Sequence, residues 1–219
     1  ATEFLESVAM DLKVYNGTNI LHMIDLCTRL SAASVIPNKK PDTVIKHILQ
    51  SWIAVYGSTK KFLVDNGGKF ANPEFINLAE KFGITVQTTA AYSPWSNGTI
   101  ERHNQTLSNM LDKVLDDTSC DLPTALAWVL NAKNSLYNVN GFSPYQLSIG
   151  TNPKLPSNLT DNPPALTAPT TSKLLSDHLS ALHQARAAFI ESEHSERIRR
   201  ALSHNIRSSG DVKYTCGDQ

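Results

Sequence analysis

Between Ser7 and Ile36 the sequence carries three short apolar runs, SVAMDLKVY, ILHMIDL and AASVI, separated by turn chemistry at Asn16-Gly17 and at Thr28-Arg29-Leu30-Ser31. Asn-Gly between two such runs is the strongest short hairpin signal, so three consecutive antiparallel strands are expected. After Pro37 the period changes. Val44, Ile48 and Trp52, flanked by Ile45, Leu49 and Ile53, recur every four residues and predict a helix that stops before Gly57. A short buried strand over Lys61 to Val64 follows, ended by Asp65-Asn66-Gly67-Gly68. A second helix opens at Asn72-Pro73, turns Phe75, Leu78, Ala79 and Phe82 inward and closes at Gly83, and a strand from Ile84 to Thr88 comes next. A meander followed by helix, strand, helix, strand and helix predicts an α/β fold. Its mixed five-stranded sheet is flanked by helices, because crossover connections make the later strands parallel to the first. In that order Asp11 and Asp65 lie side by side at a sheet end, where ligands of such folds bind.

The stretch Ala90 to Gly98 lacks periodicity and reads as a loop. From Thr99 a helix is expected, with Ile100, Leu107, Leu111 and Val114 on one face and Glu101, Gln105, Ser108 and Asp112 on another. Two more helices fit Pro123 to Val139 and Pro144 to Ile149. The expected organisation is a core over residues 1–151, a Pro-rich linker over 152–171 and a helical arm outside the core over 172–208. The chain opens at Ala1 without Met and stops just after a strand-like Val212-Lys213-Tyr214, so it reads as a fragment of a longer protein. In the arm, Leu175, Leu182 and Phe189 are seven apart, and an exposed stripe of that kind is expected to meet another copy of the chain.

Lys and Arg total 20 and so do Asp and Glu, which excludes an all-over basic coat for nucleic acid but not a local basic flank. Six lysines against two aspartates between residues 39 and 69 form such a flank. Cys27, Cys120 and Cys216 are odd in number and far apart, which disfavours a disulfide framework and a zinc ribbon and favours a reducing, intracellular setting. Neither a signal peptide nor a long apolar span is present in the sequence.

Two carboxylates brought to one sheet end repel unless a cation lies between them, and with no Cys/His ligand set Mg²⁺ or Mn²⁺ suits them best. Glu101, in the first turn of the helix expected after the last strand, is the candidate third ligand. Asp65 and Glu101 are separated by 35 residues, a spacing of little weight by itself among 20 acids. The surrounding blocks give it weight. SVAMDLKVYNG, FLVDNGGKF, AYSPWSNGTIERHN and GFSPYQLSIG, in this order from about Ser7 to Pro153, resemble the catalytic core of retroviral and long-terminal-repeat retrotransposon integrases. The resemblance implies a ribonuclease-H-like fold in which Asp11, Asp65 and Glu101 are catalytic and bind two Mg²⁺ (or Mn²⁺) ions. These ions hold the attacking and leaving oxygens of an in-line phosphoryl displacement. It implies metal-dependent polynucleotidyl transfer, with DNA 3′-end processing and strand transfer, by a homo-oligomer acting in the nucleus or a virus-like particle. Ser96, Asn97 and Gly98 match the family's mobile loop, and Arg102 and Asn104 its helix; with Lys69 beside the second aspartate these are the candidate DNA-binding residues. The zinc-binding domain of the family, which needs two His and a Cys-x-x-Cys, is expected outside this chain, and residues 209–219 match the truncated start of the small barrel that follows the core in the family. A transposase or nuclease of the same fold and a domesticated, non-catalytic DNA-binding protein remain as alternatives. Asp25, on the second strand and outside the triad, reads as structural.

Overall fold

The computed structural model describes residues 1–65, 70, 72–88, 94–137, 139–154 and 172–203, with side chains for all of these except 94–97, 196 and 199–203. Three strands come first: β1 (Ser7–Tyr15), β2 (Thr18–Asp25) and β3 (Ser31–Ile36). Asn16 and Gly17, both at positive φ, form the tight turn between β1 and β2 that the Asn-Gly pair predicts. Helix α1 (Pro41–Ile48) runs into a π-helical turn (Leu49–Ile53) and a last turn α2 (Ala54–Tyr56) before Gly57. β4 (Lys61–Val64), α3 (Pro73–Lys81) and β5 (Thr85–Thr88) follow, and then α4 (Pro94–Asp117), α5 (Leu122–Leu136), α6 (Pro144–Ile149) and α7 (Lys173–Ser203).

The strands form one sheet in the order β3-β2-β1-β4-β5, antiparallel across the meander and parallel from β1 through β4 to β5. Each strand offers alternate residues to opposite faces. Val8, Met10 and Leu12 of β1 enter a core shared with Val44, Ile48 and Trp52 from the α1 segment and Phe75 and Leu78 from α3. Tyr15 and Ile20 enter a second core on the other face, with Leu107, Met110, Leu111 and Val114 of α4 and Ala125, Leu126 and Val129 of α5. Asp25 is fully buried and structural. Its Oδ1 accepts from the Cys27 and Thr28 N–H groups and the Thr28 hydroxyl, and its Oδ2 from the Leu5 N–H at 3.0 Å, closing the β2–β3 turn onto the N-terminal segment.

Three local expectations are corrected. Phe82 is 42% exposed rather than inward, because α3 ends at Lys81 and Phe82 leaves the helical path just before Gly83 at positive φ. Helix α4 begins at Pro94 and not at Thr99, so Ser96, Asn97 and Gly98 lie within its first turns. Proline has no donor to lose at a helix start. Gly98 weakens a helix interior by only about 1 kcal/mol, small beside the buried stripe that follows. The arm does not stand apart: α7 packs on α4 and α5 and buries Ala181, Leu182, Ala185, Ala188 and Phe189. The small alanines at 181, 185 and 188 let the helices approach, and Trp128 Nε1 donates to His178 Nδ1 across the α5–α7 contact at 3.1 Å. The stripe expected to face another copy is thus covered within the chain at Leu182 and Phe189, while Leu175 stays exposed. The linker from residue 155, Cys216 and the expected barrel start lie outside the described residues.

Candidate active site

Strands β1 and β4 pair with Ser7 opposite Lys61, Val8 opposite Phe62 and Ala9 opposite Leu63. Two residues further along each strand direction stand Asp11 and Asp65, the latter just past the end of β4. Ala9 and Leu63 both belong to the small apolar cluster that holds Ile24 of β2 and Ile100 of α4. Strand alternation therefore carries Asp11 to the face that α4 covers, while Asp65 directly follows the last residue of the neighbouring β4.

Helix α4 is fastened to that face by a regular series of contacts. Ala9 shares its cluster with Ile100. Asp11 Oδ2 accepts from Asn104 Nδ2 at 2.6 Å, Lys13 Nζ donates to the Asn104 carbonyl at 3.0 Å and to Ser108 Oγ, and Tyr15 Oη donates to Asp112 Oδ1 at 2.6 Å. Every second strand residue meets every fourth helix residue. Two strand residues advance about 6.6 Å and four helix residues about 6.0 Å, so strand and helix stay in step over the series. Glu101 follows Ile100 on the exposed flank of α4, at a level between Ala9 and Asp11.

Among the described residues no three of His, Cys, Asp and Glu converge closely enough to hold an ion. The donor chemistry nonetheless fits a hard divalent cation. Asp65 Oδ1 is buried with no hydrogen-bond partner among the described residues, a carboxylate oxygen whose isolation costs more than about 1–3 kcal/mol unless a cation or a donor completes it. Asp11, Asp65 and Glu101 offer oxygen ligands only, as Mg²⁺ and Mn²⁺ prefer.

Behind Asp11 lies a layer of buried bases that sequence reasoning missed. His22 faces Asp11 across the β1–β2 pair, is fully buried, and places Nδ1 2.6 Å from Asn104 Oδ1. Burial above all, then the positive charge of Lys133, pulls its pKa down to about 3, so the ring is neutral. His103, tilted against the Tyr137 ring at 5.1 Å, is held below the ordinary histidine range by burial and then by Lys133 and His22. Lys133 is fully buried on α5, donates to Ser31 Oγ at 2.6 Å, and is pulled down to about 7 by burial and then by Arg29. A histidine inside ILHMID and a lysine on an otherwise apolar helix face were the available signals.

Of the residues expected to meet DNA, Lys69 lies outside the described residues, and the side chains of Ser96 and Asn97 are likewise outside them. Gly98 and Arg102 sit on the first turns of α4, with Arg102 exposed. Asn104 is turned inward instead, its amide committed to Asp11 and His22 rather than to the surface. Its place one turn beyond Ile100, on the stripe that meets β1, is the reason.

A family model described as the TnsB C-terminal domain matches residues 22–117. The catalytic core domain of BIV integrase superposes with a TM-score of 0.59 at 29% identity, covering 66% of this chain and 93% of that one. This chain has the fold of the retroviral integrase catalytic cores. Its five-stranded mixed sheet is the expected ribonuclease-H-like one. The HTLV-2 integrase catalytic core, in complex with magnesium and in a trimeric form, shares the fold at a TM-score of 0.58 and 22% identity, with 67% of this chain and 97% of that one covered. The Retrovirus-related Pol polyprotein from transposon 412 of Drosophila melanogaster is 28% identical over 130 residues, 59% of this chain and 10% of that protein. The integrase-like core spans about a tenth of the length of the first curated relatives it matches. No helix among its described residues is long and apolar enough to cross a membrane.

Proposed function

We propose that the chain is the catalytic core of an integrase that trims DNA 3′ ends and joins them to a target strand, with Asp11, Asp65 and Glu101 as the cation ligands. The observation that supports this is the buried Asp65 oxygen with no donor among the described residues, on the strand neighbouring the one that carries Asp11 two residues beyond the Ala9–Leu63 pair. Divalent ions held there supply the charge that steadies the attacking and leaving oxygens of phosphoryl transfer. Asn104 fixes the Asp11 carboxylate, and the Lys13 contacts to α4 hold Asn104 at its height. Glu101, on the solvent side, closes the ligand set from the helix. Exposed Arg102, together with Lys69, Ser96, Asn97 and Gly98, is assigned to the DNA backbone, where phosphate contacts position the duplex without reading it. The HTLV-2 core's trimeric form supports a homo-oligomer here also. A nuclear or particle-borne site of action follows from the reaction.

A strand-transfer assay tests the reading, with a terminal-repeat duplex, Mg²⁺ or Mn²⁺, and the full integrase that carries this segment. Asp65→Asn and Glu101→Gln are expected to abolish joining; wild-type joining by either removes the triad. The TnsB match favours a second reading, a transposase on the same fold. Joining of inverted-repeat ends in preference to long-terminal-repeat ends selects it.

A further inference from the structure

We propose that His22 is a positioning residue for the Asp11 carboxylate, acting through Asn104 as the Nδ1–H tautomer. The inference rests on Asp11 being a cation ligand. An ionised carboxylate only accepts hydrogen bonds, so the group of Asn104 that lies 2.6 Å from Asp11 Oδ2 is its NH₂. The carbonyl oxygen of Asn104 then faces His22 Nδ1 at 2.6 Å and needs a donor there. His22 Nδ1 must carry the ring proton, and the buried Nε2, which has no partner among the described residues, is left as a bare lone pair. The order His22, Asn104, Asp11 is therefore a one-way chain of donation from strand β2 through helix α4 to strand β1.

The chain has a purpose beyond filling space. Asn104 alone has two amide orientations, and the flipped one sets oxygen against carboxylate. A proton fixed on His22 Nδ1 makes the productive orientation the favourable one. It thereby holds Asp11 Oδ2 engaged and leaves Oδ1 to turn toward Asp65. Outer partners of ligating residues typically change metal affinity or activity by about 10- to 100-fold when removed. His22 sits opposite Asp11 in the antiparallel register, so backbone pairing fixes its distance from the site.

The test is calorimetric titration of Mn²⁺ into the 219-residue chain, beside thermal unfolding of the same samples. His22→Phe keeps a ring but cannot donate; His22→Asn returns an amide N–H near the place of Nδ1. His22→Phe is expected to weaken Mn²⁺ binding about tenfold, and His22→Asn to restore most of it, whatever each does to the unfolding temperature. Unchanged affinity in His22→Phe, with binding lost in Asp11→Asn, overturns the role of His22 and leaves the triad intact. Equal weakening in the Phe and Asn variants also overturns it. Retention of binding in Asp11→Asn removes the ligand assignment itself, and the role of His22 with it. If His22→Phe does not fold, ¹⁵N NMR of the wild-type imidazole decides. A proton on Nδ1 is the expected result, and a proton on Nε2 refutes the proposal.

Discussion

Lys133 offers a measurement in which burial chiefly sets the outcome. Its ammonium is fully enclosed, bonded to the Ser31 hydroxyl at 2.6 Å and the Arg29 carbonyl at 3.4 Å, with no salt bridge to a carboxylate among the described residues. Burial first, and the positive charge of Arg29 second, lower its pKa from the ordinary 10.5 to about 7. Between those values the unfolded chain binds one more proton than the folded one, so stability rises with pH, by about 1.4 kcal/mol per unit. From pH 7 to pH 10 the contribution is about 4 kcal/mol. Other groups titrate as well; Tyr56, whose phenol burial pushes up to about 12, acts with the opposite sign from about pH 10. Subtracting the Lys133→Met variant removes them. At pH 7 that variant also leaves the Ser31 hydroxyl without its donor, a cost of about 1–3 kcal/mol, so the slope and not the offset is diagnostic. Urea denaturation of both proteins at pH 7, 8, 9 and 10 reads it. The wild-type advantage over Lys133→Met is expected to grow by about 4 kcal/mol across the range. A difference constant to within about 0.5 kcal/mol means that Lys133 keeps an ordinary pKa in the folded state, and the reasoning fails.

Asp25→Ala removes the acceptor of four hydrogen bonds and strands donors of the β2–β3 turn. It is expected to cost about 3–5 kcal/mol in urea denaturation, and a loss below about 1 kcal/mol refutes the structural role. Phe189→Ala, on the face of α7 that docks against α4 and α5, is expected to cost about 3–5 kcal/mol, whereas exposed Leu175→Ala stays within about 0.5 kcal/mol. Equal effects mean that α7 does not dock as described.

The meander, the crossovers and the pairing of β1 with β4 were legible because each depends on a local signal: Asn16-Gly17, the change of period after Pro37, and the short run Lys61 to Val64. What was missed depended on context. The start of α4 turns on Pro94, whose loop-like neighbours Ser93, Asn97 and Gly98 outweighed its fitness as a first helical residue. The docking of α7 within the chain was hidden because the alanines at 181, 185 and 188 that complete its contact stripe carry little hydrophobic signal beside Leu182 and Phe189. Asn104 was expected from its family position to be a DNA contact. Its inward aim follows only from the matching of strand and helix repeats, which needs both elements in place. Lys133 and His22 carry no sequence mark of their burial beyond their apolar neighbours.

The parallel register of β1 and β4 makes the site discrete rather than adjustable. Adjacent strands are about 4.8 Å apart because backbone hydrogen bonds require it, whatever the side chains. Drift at Leu12, Leu63 or Val64 therefore cannot tune the separation of the two aspartates by small steps. The error that remains is a slip of one residue, which would turn Asp65 toward the face where Phe62 and Val64 are buried against α1 and α3. A misregistered chain would have to bury a carboxylate in hydrocarbon, so the pairing that builds the site is also the pairing that folding selects.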